Sequence, residues 1–545
     1  MDFDRRTFLA GAGWLGTGLV AGVNLEELLA SGQSPKFEPA FSGAVPRSLS
    51  DKLAEAPSVR DFGAVGDGKK DDTRAIERAL RNTQALYFPP GEYFVSERID
   101  APQDGFSLIG AGASSVIVRA PEKGIFFPLW LSDRSDVELL NLRFVADPRT
   151  PTDVMEGGFV AARDMDRLLI NGCRFEGFNA QQQPTMFSFV RIGNSTDVVI
   201  TDCFFSGAFG NMIGPEATGG NLPERGERVV VANCVFDRFS DTGIGIWTNG
   251  GRSVIHGNLV RGYRKGDRGY RPNYPGVGID VAGSKDVIIS SNVIIGSTYG
   301  IRVAGNLIYS DESVLITDNQ IMDQHVLPGN TRGDTTTAIR IIQTGVENRK
   351  YVRVLNNMIR AVTEVANGWH GAIQVIASGT STDPTAAIIQ IDGNAFWAEG
   401  KDNACVNVNC QNGPLTLLPG QNVYVLKNGA KASIGRPAGA VTSNCAYVVA
   451  ERENLRVQGS GGKLVLASLK LSPGIYAIEI RYGDISGPPM NAEFIGSGFA
   501  IRSDSSGQVV QYIVASDGGY GELAVQAAPS GNEVNIRNLT IWRLM

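Results

Sequence analysis

The sequence predicts an all-β protein built mainly as a right-handed parallel β-helix, and three observations support this class. A β-branched run that ends at one fixed column position recurs at intervals of roughly 30 residues, the period of a solenoid repeat. Short runs with period-two alternation recur out of step with it, so each repeat holds two or three strands. The 66 glycines and 19% charged residues favour turns and strands over long helices. The column residues are Cys173, Cys203, Cys234, Asn258, Asn292, Asn319, Asn357 and Asn394, and Leu142 is expected to precede them.

The chain begins with a pattern typical of a twin-arginine export signal. Arg5 and Arg6 stand before a short, glycine-interrupted apolar stretch that ends near Gly22 and is too short for a stable spanning helix. We therefore expect residues 1–32 to be the signal and residues 33–56 a linker. The mature protein is expected to be periplasmic or secreted, without a membrane span.

The repeat occupies residues 57–440 in this prediction. Coils of a β-helix stack about 4.8 Å apart, so equivalent residues form ladders along the axis. Asparagine suits the bend between two strands because it tolerates left-handed dihedrals, and its amide can bond to the asparagine one coil away. The three cysteines occupy the same place in earlier coils. We therefore expect free thiols packed as small hydrophobic groups, with a disulfide between adjacent coils as the alternative.

The opening of the repeat carries a family resemblance. The stretch "SVRDFGAVGDGKKDDTRAIERAL" followed by "LYFPPGEYFVSERI" resembles the first coil of pectate-lyase-like β-helix proteins, which include polygalacturonases, many polysaccharide lyases and phage tailspikes. The resemblance covers residues 57 to about 410 and implies the fold more than the reaction, because this scaffold hosts many functions. It also implies that a short helix, N-capped by Asp72 or Thr73, covers the open end. The chain resembles as well a group of twin-arginine-exported repeat proteins of unestablished role.

The repeat pattern ends before the last hundred or so residues. Strand signals about every ten residues in 446–545 predict a β-sandwich or jelly roll. Such a domain can contact carbohydrate, cap the solenoid or mediate oligomerisation, and the sequence does not decide among these roles or name an oligomeric state.

One column of side chains is expected to face solvent along the "GIxV" strands. Acidic and basic groups on neighbouring coils lie close enough to line a saccharide groove. The alternative is a surface ion-pair ladder without a binding role. The members of the column are Gly245, Asp280, Arg302, Arg340 and Gln374, with Arg191 further up.

A long insert at 261–278 adds arginines interleaved with tyrosines. Aromatic rings stack on sugar faces and guanidinium groups bind carboxylates in bidentate fashion, so an acidic polysaccharide is the expected partner, unless the loop is simply solvated. The net charge of −6 and the expected export argue against nucleic acid. The candidate substrate-binding residues are Tyr263, Arg264, Arg268, Tyr270, Arg271, Tyr274, Trp247, His256 and Gln374.

The expected reaction is a lyase-type β-elimination. Removal of the proton α to a uronate carboxylate requires that carboxylate to be neutralised, for which Arg302 and Arg340 are candidates, and it requires a base, for which Lys265 is one candidate. Hydrolysis would need two carboxylates, and Asp241 with Asp280 is the best pair. The motifs of polygalacturonase sites and the Asp-Pro-His of alginate epimerases are absent from the expected strands. The further base candidates are Tyr270, Tyr274 and His256.

No cofactor is evident from the sequence. His256, His325 and His370 are scattered over separate coils without zinc-site spacing. Calcium held by Asp241, Asp267 or Asp280 stays an open alternative.

Three functions remain open on these grounds: an enzyme acting on an acidic polysaccharide, a non-catalytic polysaccharide-binding or cell-envelope module, and a cofactor-binding repeat scaffold. A cleft in which Arg, Lys and Tyr converge on Asp280 would support catalysis. A flat or self-neutralised face would argue against it.

Overall fold

The computed structural model describes the chain as a series of separate stretches. They are residues 36–39, 41–55, 57–119, 127–147, 157–178, 186–215, 226–246, 251–264, 267, 276–282, 284–305, 311–324, 336–344, 349–362, 370–378 and 387–399, followed by single strands between 403 and 543. The predicted export signal lies outside them and stays a prediction.

Helices are short and lie near the N-terminal end of the described chain. The α-helices are Leu49–Ala54 and Thr73–Asn82, and the 3₁₀ turns are Val59–Phe62 and Gly112–Ser114. A two-stranded antiparallel ladder joins Lys36–Phe37 and Arg47–Ser48. Within the described residues, no helix is long and apolar enough to cross a membrane.

Three long parallel sheets, here called sheets 1, 2 and 3, run along the rest of the molecule up to residue 435. Sheet 1 is a ladder of 12 strands in which each strand pairs with the equivalent strand of the next coil. Its strands are Ala85–Phe88, Ser107–Gly110, Ser135–Leu140, Asp166–Asn171, Thr196–Thr201, Glu227–Ala232, Val254–His256, Val287–Ser290, Asp311–Thr317, Arg349–Leu355, Ala387–Asp392 and Thr416–Pro419.

Sheet 2 follows sheet 1 in each coil after a tight bend. Its strands are Asp67–Asp71, Gly91–Val95, Ser115–Arg119, Arg143–Ala146, Arg174–Glu176, the first part of Phe204–Pro215, Val235–Phe239, Leu259–Arg261, Val293–Ile295, Gln320–Met322, Met358–Val362, Ala395–Glu399 and Val423–Lys427.

Sheet 3 completes the coil and shares the long strand Phe204–Pro215 with sheet 2, which joins the two sheets. Its other strands are Ile99–Asp100, Leu129–Ser132, Val160–Arg163, Met186–Gly193, Thr242–Ile246, Val277–Ala282, Tyr299–Gly305, Thr337–Thr344, His370–Ser378, Asn403–Cys410 and Lys431–Gly435. The order sheet 1, sheet 2, sheet 3 repeats along the chain, as the sequence predicts.

The asparagine column lies at the bend from sheet 1 to sheet 2 and forms the expected ladder. Asn319 Oδ1 accepts from both the backbone N–H and Nδ2 of Asn292, at 3.0 and 2.9 Å. Asn292 Nδ2 also donates to the carbonyl of Ile255 at 3.0 Å. Each buried amide therefore joins two neighbouring coils. The same side-chain bond links Asn258 to Asn292, Asn319 to Asn357, and Asn357 to Asn394.

The left-handed residue at this bend is the one before the column residue, which corrects the expectation that the column asparagine itself takes that conformation. Glycine and short polar side chains visit this region at little cost. The column residue keeps ordinary dihedrals and points its side chain into the coil stack. The left-handed residues are Asn141, Gly172, Asp202, Asn233, Gly257, Ser291, Asp318, Asn356 and Gly393, with φ between 53° and 67°.

The three cysteines of the column are free and buried, so the prediction of packed thiols is confirmed and the disulfide alternative is wrong for them. Cys234 Sγ accepts from the backbone N–H of Cys203 at 3.4 Å, and Asn258 Oδ1 accepts from the N–H of Cys234 at 2.9 Å. Sulfur and amide oxygen therefore fill the same role in successive coils. Cys173 continues the column one coil earlier.

Aromatic rings fill the interior of the N-terminal coils behind sheet 2. Four buried phenylalanines stack with centroids 4.9, 4.8 and 4.7 Å apart and interplanar angles of 3°, 6° and 5°. Identical residues at one register position must stack in this way, since coils repeat at nearly the same distance. The four are Phe144, Phe175, Phe205 and Phe236.

The predicted helix at the start of the repeat is confirmed as Thr73–Asn82, with Asp72 in the N-cap position. Its apolar face is buried in the core through Ile76, Ala79 and Leu80. The Asp72 carboxylate does not cap the helix. It accepts instead from the backbone N–H groups of Val65 and Gly66, at 2.7 and 3.0 Å. The glycine-rich loop before the helix is therefore held by the chain's own carboxylate.

The C-terminal region has a different topology, with two four-stranded antiparallel sheets that fit the predicted β-sandwich. One consists of Leu455–Gln458, Glu533–Arg543, Gly474–Ser486 and Gln508–Ala515. The other consists of Lys463–Leu471, Gly519–Gln526, Met490–Phe494 and Ser497–Ile501.

Candidate functional site

The predicted polar column lies in register along the outer side of sheet 3. Ile279 and Val281 point into the core, so Asp280 between them faces the other side of the strand. Its register neighbour on the next coil is Arg302, followed by Arg340. The register confirms the predicted order, but the expectation that the column faces solvent is wrong for Asp280 and Gln374, which are 1% and 8% exposed. The full register is Arg191, Gly214, Gly245, Asp280, Arg302, Arg340, Gln374 and Asn407.

Asp280 and Arg302 form a bidentate ion pair. Arg302 Nε donates to Oδ1 of Asp280 at 2.8 Å, and Nη2 donates to Oδ2 at 2.6 Å. The Asp280 side chain is only 1% exposed and that of Arg302 is 24% exposed. Burial by itself lowers the pKa of Arg302, but the bonded carboxylate of Asp280 outweighs it, so the net direction is upward. The acid–base pair at the centre of the column is thus self-neutralised.

Arg340, one coil further along, is held by an aromatic ring instead of a carboxylate. Its guanidinium lies 4.7 Å from the centroid of the Tyr299 ring, and its Nη1 donates to the Tyr299 hydroxyl. Within the described residues Arg340 makes no ion pair. Tyr299 was not predicted as a site residue. Only its place at the start of a "GIxV" strand, two residues before Ile301, could have indicated it.

Three polar atoms on the strand of Arg340 and on the next strand of sheet 3 are buried and lack a hydrogen-bond partner among the described residues. They are Arg340 Nε, Gln374 Oε1 and Thr337 Oγ1. Gln374 is 8% exposed and pairs in register with Arg340, while Thr337 begins the strand that carries Arg340. Buried polar atoms of this kind are uncommon in folded proteins and mark places where a ligand or water is expected.

Asp241 lies close enough to Arg302 for its charge to act on that guanidinium. Its carbonyl accepts from the N–H of Val277 at 2.6 Å, and its charge is among the causes that raise the pKa of Arg302. The two carboxylates of the candidate hydrolase pair, Asp241 and Asp280, therefore have different surroundings. Both oxygens of Asp280 are already engaged by Arg302, so this carboxyl group is poorly placed to donate a proton to a leaving group.

The first residues of the 261–278 insert fold back on the solenoid. Tyr263 is fully buried, and burial raises the pKa of its phenol, so its ring does not stack on a sugar; that expectation is wrong. Arg261 pairs with Asp237 and, at 3.2 Å, with Asp267. Of the predicted contact residues here, Arg264 is exposed and its N–H is bound by Asp267.

His256 lies in a different place from the column. It belongs to sheet 1, where it is exposed and bonds to Ser290 Oγ at 3.0 Å. As sheet 1 and sheet 3 are separate faces of each coil, His256 is not brought together with Asp280, and its proposed role in the same site is wrong. The predicted residues outside the described part of the chain are Lys265, Trp247, Arg268, Tyr270, Arg271 and Tyr274.

Metal ligands do not converge in the described part of the chain. No group of three or more His, Cys, Asp and Glu residues in it is arranged to hold an ion. Of the candidate calcium ligands, Asp280 pairs with Arg302 and Asp267 with Arg261, and calcium binding stays a prediction.

Known proteins share the first coils of the solenoid. Residues 56–135 match the family model described as rhamnogalacturonase A/epimerase, pectate lyase-like. Together with the three parallel sheets, this match fits a pectate-lyase-like parallel β-helix.

Individual relatives match parts of the chain. Mannuronan C5-epimerase AlgE2 of Azotobacter vinelandii is 26% identical over 231 residues, 36% of this chain and 23% of that protein. The pre-neck appendage protein of Bacillus phage B103 is 41% identical over 61 residues, 11% of this chain and 7% of that protein. This chain thus spans less than a quarter of these curated relatives. Among solved structures, the AlgE6 A-module of A. vinelandii is 16% identical with a TM-score of 0.47, covering 70% of this chain and 99% of that one.

Proposed function

We propose that the protein is an exported, carbohydrate-active β-helix protein that binds an acidic polysaccharide along the outer side of sheet 3. The observation that carries this proposal is the uncompensated charge of Arg340. Asp280 neutralises Arg302, whereas Arg340 meets no carboxylate among the described residues and rests on the Tyr299 ring. A guanidinium held in this way is suited to a ligand carboxylate.

Three further points support the proposal. The column repeats along the axis with one residue per coil, which suits a linear polymer better than a compact ligand. The relatives with the longest matches are named for action on mannuronan, a uronate polymer. The arginine pair at residues 5 and 6 is consistent with export to a compartment that contains such polymers.

Lyase-type β-elimination is the second candidate function at the same site. Arg340 would neutralise the uronate carboxylate and so favour removal of the α proton. The base would come from Lys265, Tyr270 or Tyr274, on the insert that precedes the Asp280 strand. The self-neutralised pair of Asp280 and Arg302 favours binding without turnover, and for this reason binding is the primary proposal.

Binding and turnover are separated by one set of measurements. Polygalacturonate, alginate and a neutral glucan are tested for binding by calorimetry, and the same mixtures are followed at 235 nm, where the unsaturated product of elimination absorbs. We expect binding of at least one uronate polymer and none of the glucan. An increase at 235 nm would establish the lyase, and absence of binding to every uronate polymer would refute the proposal.

Arg340→Ala tests the site itself. The truncation should weaken uronate binding by about tenfold or more, the effect expected when a charged hydrogen bond is lost. Arg353→Ala is the matched control, because Arg353 lies on sheet 1 beside Tyr351, with its guanidinium 5.7 Å from that ring. Equal losses for the two variants would show that binding follows overall charge and not this face.

A further inference from the structure

We propose that Arg340 and Gln374 together form one sugar subsite. It takes a uronate residue through its carboxylate at Arg340 Nε and through a neighbouring hydroxyl at Gln374 Oε1. This inference rests on the proposed function and assigns the binding of the acidic group to two residues on adjacent coils.

The first step of the argument is chemical complementarity. Arg340 Nε is a donor and Gln374 Oε1 is an acceptor; both are buried, and neither has a hydrogen-bond partner in the described chain. The two residues are register neighbours on parallel strands, yet they do not bond to each other. A group that offers an acceptor to one and a donor to the other satisfies both, and a carboxylate next to a hydroxyl has this arrangement.

The second step is the contrast with the preceding coil. Arg302 donates to Asp280 through Nε at 2.8 Å and through Nη2 at 2.6 Å, whereas the buried Nε of Arg340 has no hydrogen-bond partner in the described chain. The ion pair of Asp280 and Arg302 therefore shows how a carboxylate docks against an arginine of this column. For Arg340 the preceding place in the register is held by Arg302, so a ligand carboxylate would approach from the side of Gln374 on the following coil.

The third step is preorganisation. Tyr299 is 1% exposed and contacts the Arg340 guanidinium through both its ring and its hydroxyl. Because the ring and the hydroxyl of Tyr299 both hold the guanidinium in place, Arg340 loses little conformational entropy on binding, and more of the interaction free energy appears as affinity. Tyr299 is in this sense a positioning residue.

Gln374→Glu is the decisive variant. The introduced carboxylate lies beside Arg340 and can accept from its Nε, which mimics the ligand within the protein. We expect the melting temperature to rise and affinity for a uronate oligomer to fall by at least about tenfold. Gln390→Glu is the matched control, since Gln390 is the register neighbour of Arg353 on sheet 1 and should leave the affinity unchanged.

A second variant separates the hydroxyl contact from charge effects. Gln374→Met keeps the side-chain length but removes Oε1, so affinity for the oligomer should fall while the preference for the oligomer over its methyl ester is retained. Arg340→Met should abolish that preference. If wild-type protein binds the oligomer and Gln374→Glu binds it equally well, the subsite assignment is wrong although the proposed function stands. If wild-type protein binds no uronate, both fail.

Discussion

At the residue scale, each side chain of the column at the bend between sheets 1 and 2 is required to accept a hydrogen bond. Cys234 Sγ and Asn258 Oδ1 both accept the backbone N–H of the column residue one coil earlier, so cysteine and asparagine are alternatives at this position. Both side chains also donate to a carbonyl of the previous coil, as Cys234 does to Ile200. Asparagine adds a further bond from its Nδ2 to the Oδ1 of the next asparagine, as Asn292 makes to Asn319. The asparagine coils are therefore joined by more bonds than the cysteine coils.

Asn319→Leu tests the ladder at its centre. Leucine has a similar size, but it leaves the N–H and Nδ2 of Asn292 without their acceptor and Asn357 Oδ1 without one of its donors. Because each unsatisfied buried group costs about 1–3 kcal/mol, the free energy of unfolding should fall by about 3 kcal/mol or more. Urea unfolding measures the loss.

Asn258→Cys is the control for that experiment. Asn258 stands where the cysteines meet the asparagines, and a thiol there can still accept from the N–H of Cys234. Its loss of stability should be clearly smaller than that of Asn319→Leu. Comparable losses would mean that side-chain volume, and not the amide bonds, explains the asparagines.

At the element scale, sheet 3 carries a glycine column in which an added Cβ would meet the carbonyl oxygen of the next coil. A Cβ on Gly278 would lie 2.5 Å from the carbonyl oxygen of Gly300 and 2.8 Å from Ile294 Cγ2. Further along the same register, alanine is accepted at position 338. The spacing of the coils that carry Asp280 and Arg302 therefore depends on glycine.

Gly278→Ala should separate those two coils. Overpacking of this kind costs about 1–3 kcal/mol and displaces the strand that holds Asp280. We expect lower stability in urea together with weaker uronate binding. Ala338→Gly, at the same register two coils on, creates no clash and should cost at most about 1 kcal/mol. Unchanged stability in Gly278→Ala would mean that the strand shifts freely.

At the scale of the whole molecule, each coil contacts mainly its neighbours, so stability is distributed along the axis. Cys173, Cys203 and Cys234 lie on three successive coils and are all buried. The hydrogen-bonded thiol of the preceding column cysteine, and then burial, raise the pKa values of Cys203 and Cys234, which suppresses the reactive thiolate. Their accessibility therefore reports on opening of this part of the solenoid.

A thiol titration uses this property. In a variant with Cys405, Cys410 and Cys445 replaced by serine, the native protein should not react with a thiol reagent, and unfolding without reductant should release three thiols at one common rate. Early reaction of a single cysteine would show that the coils open independently. Fewer than three thiols would contradict the absence of disulfides among them.

Local patterns that repeat in the sequence predict the order of the strands, the Cys/Asn column at the bend and the stacking of the coils. Apolar alternation sets which side of a strand faces the core, and the recurring turn residues set the period. From these alone, the register of Asp280, Arg302 and Arg340 was predictable. The left-handed residue was misplaced by one position, because the pattern shows a bend without showing which residue of it carries the positive φ.

The state of the site was decided only by the tertiary structure. Nothing in the sequence indicates that Asp280 engages Arg302 through both oxygens while Arg340 turns to Tyr299, because that choice depends on side-chain conformations across three coils. The burial of Tyr263 and the separation of His256 from the column likewise depend on how a coil closes in space. Periodicity depends on residues that are close in the sequence, whereas side-chain pairing and burial depend on residues that are close in space but lie on different coils.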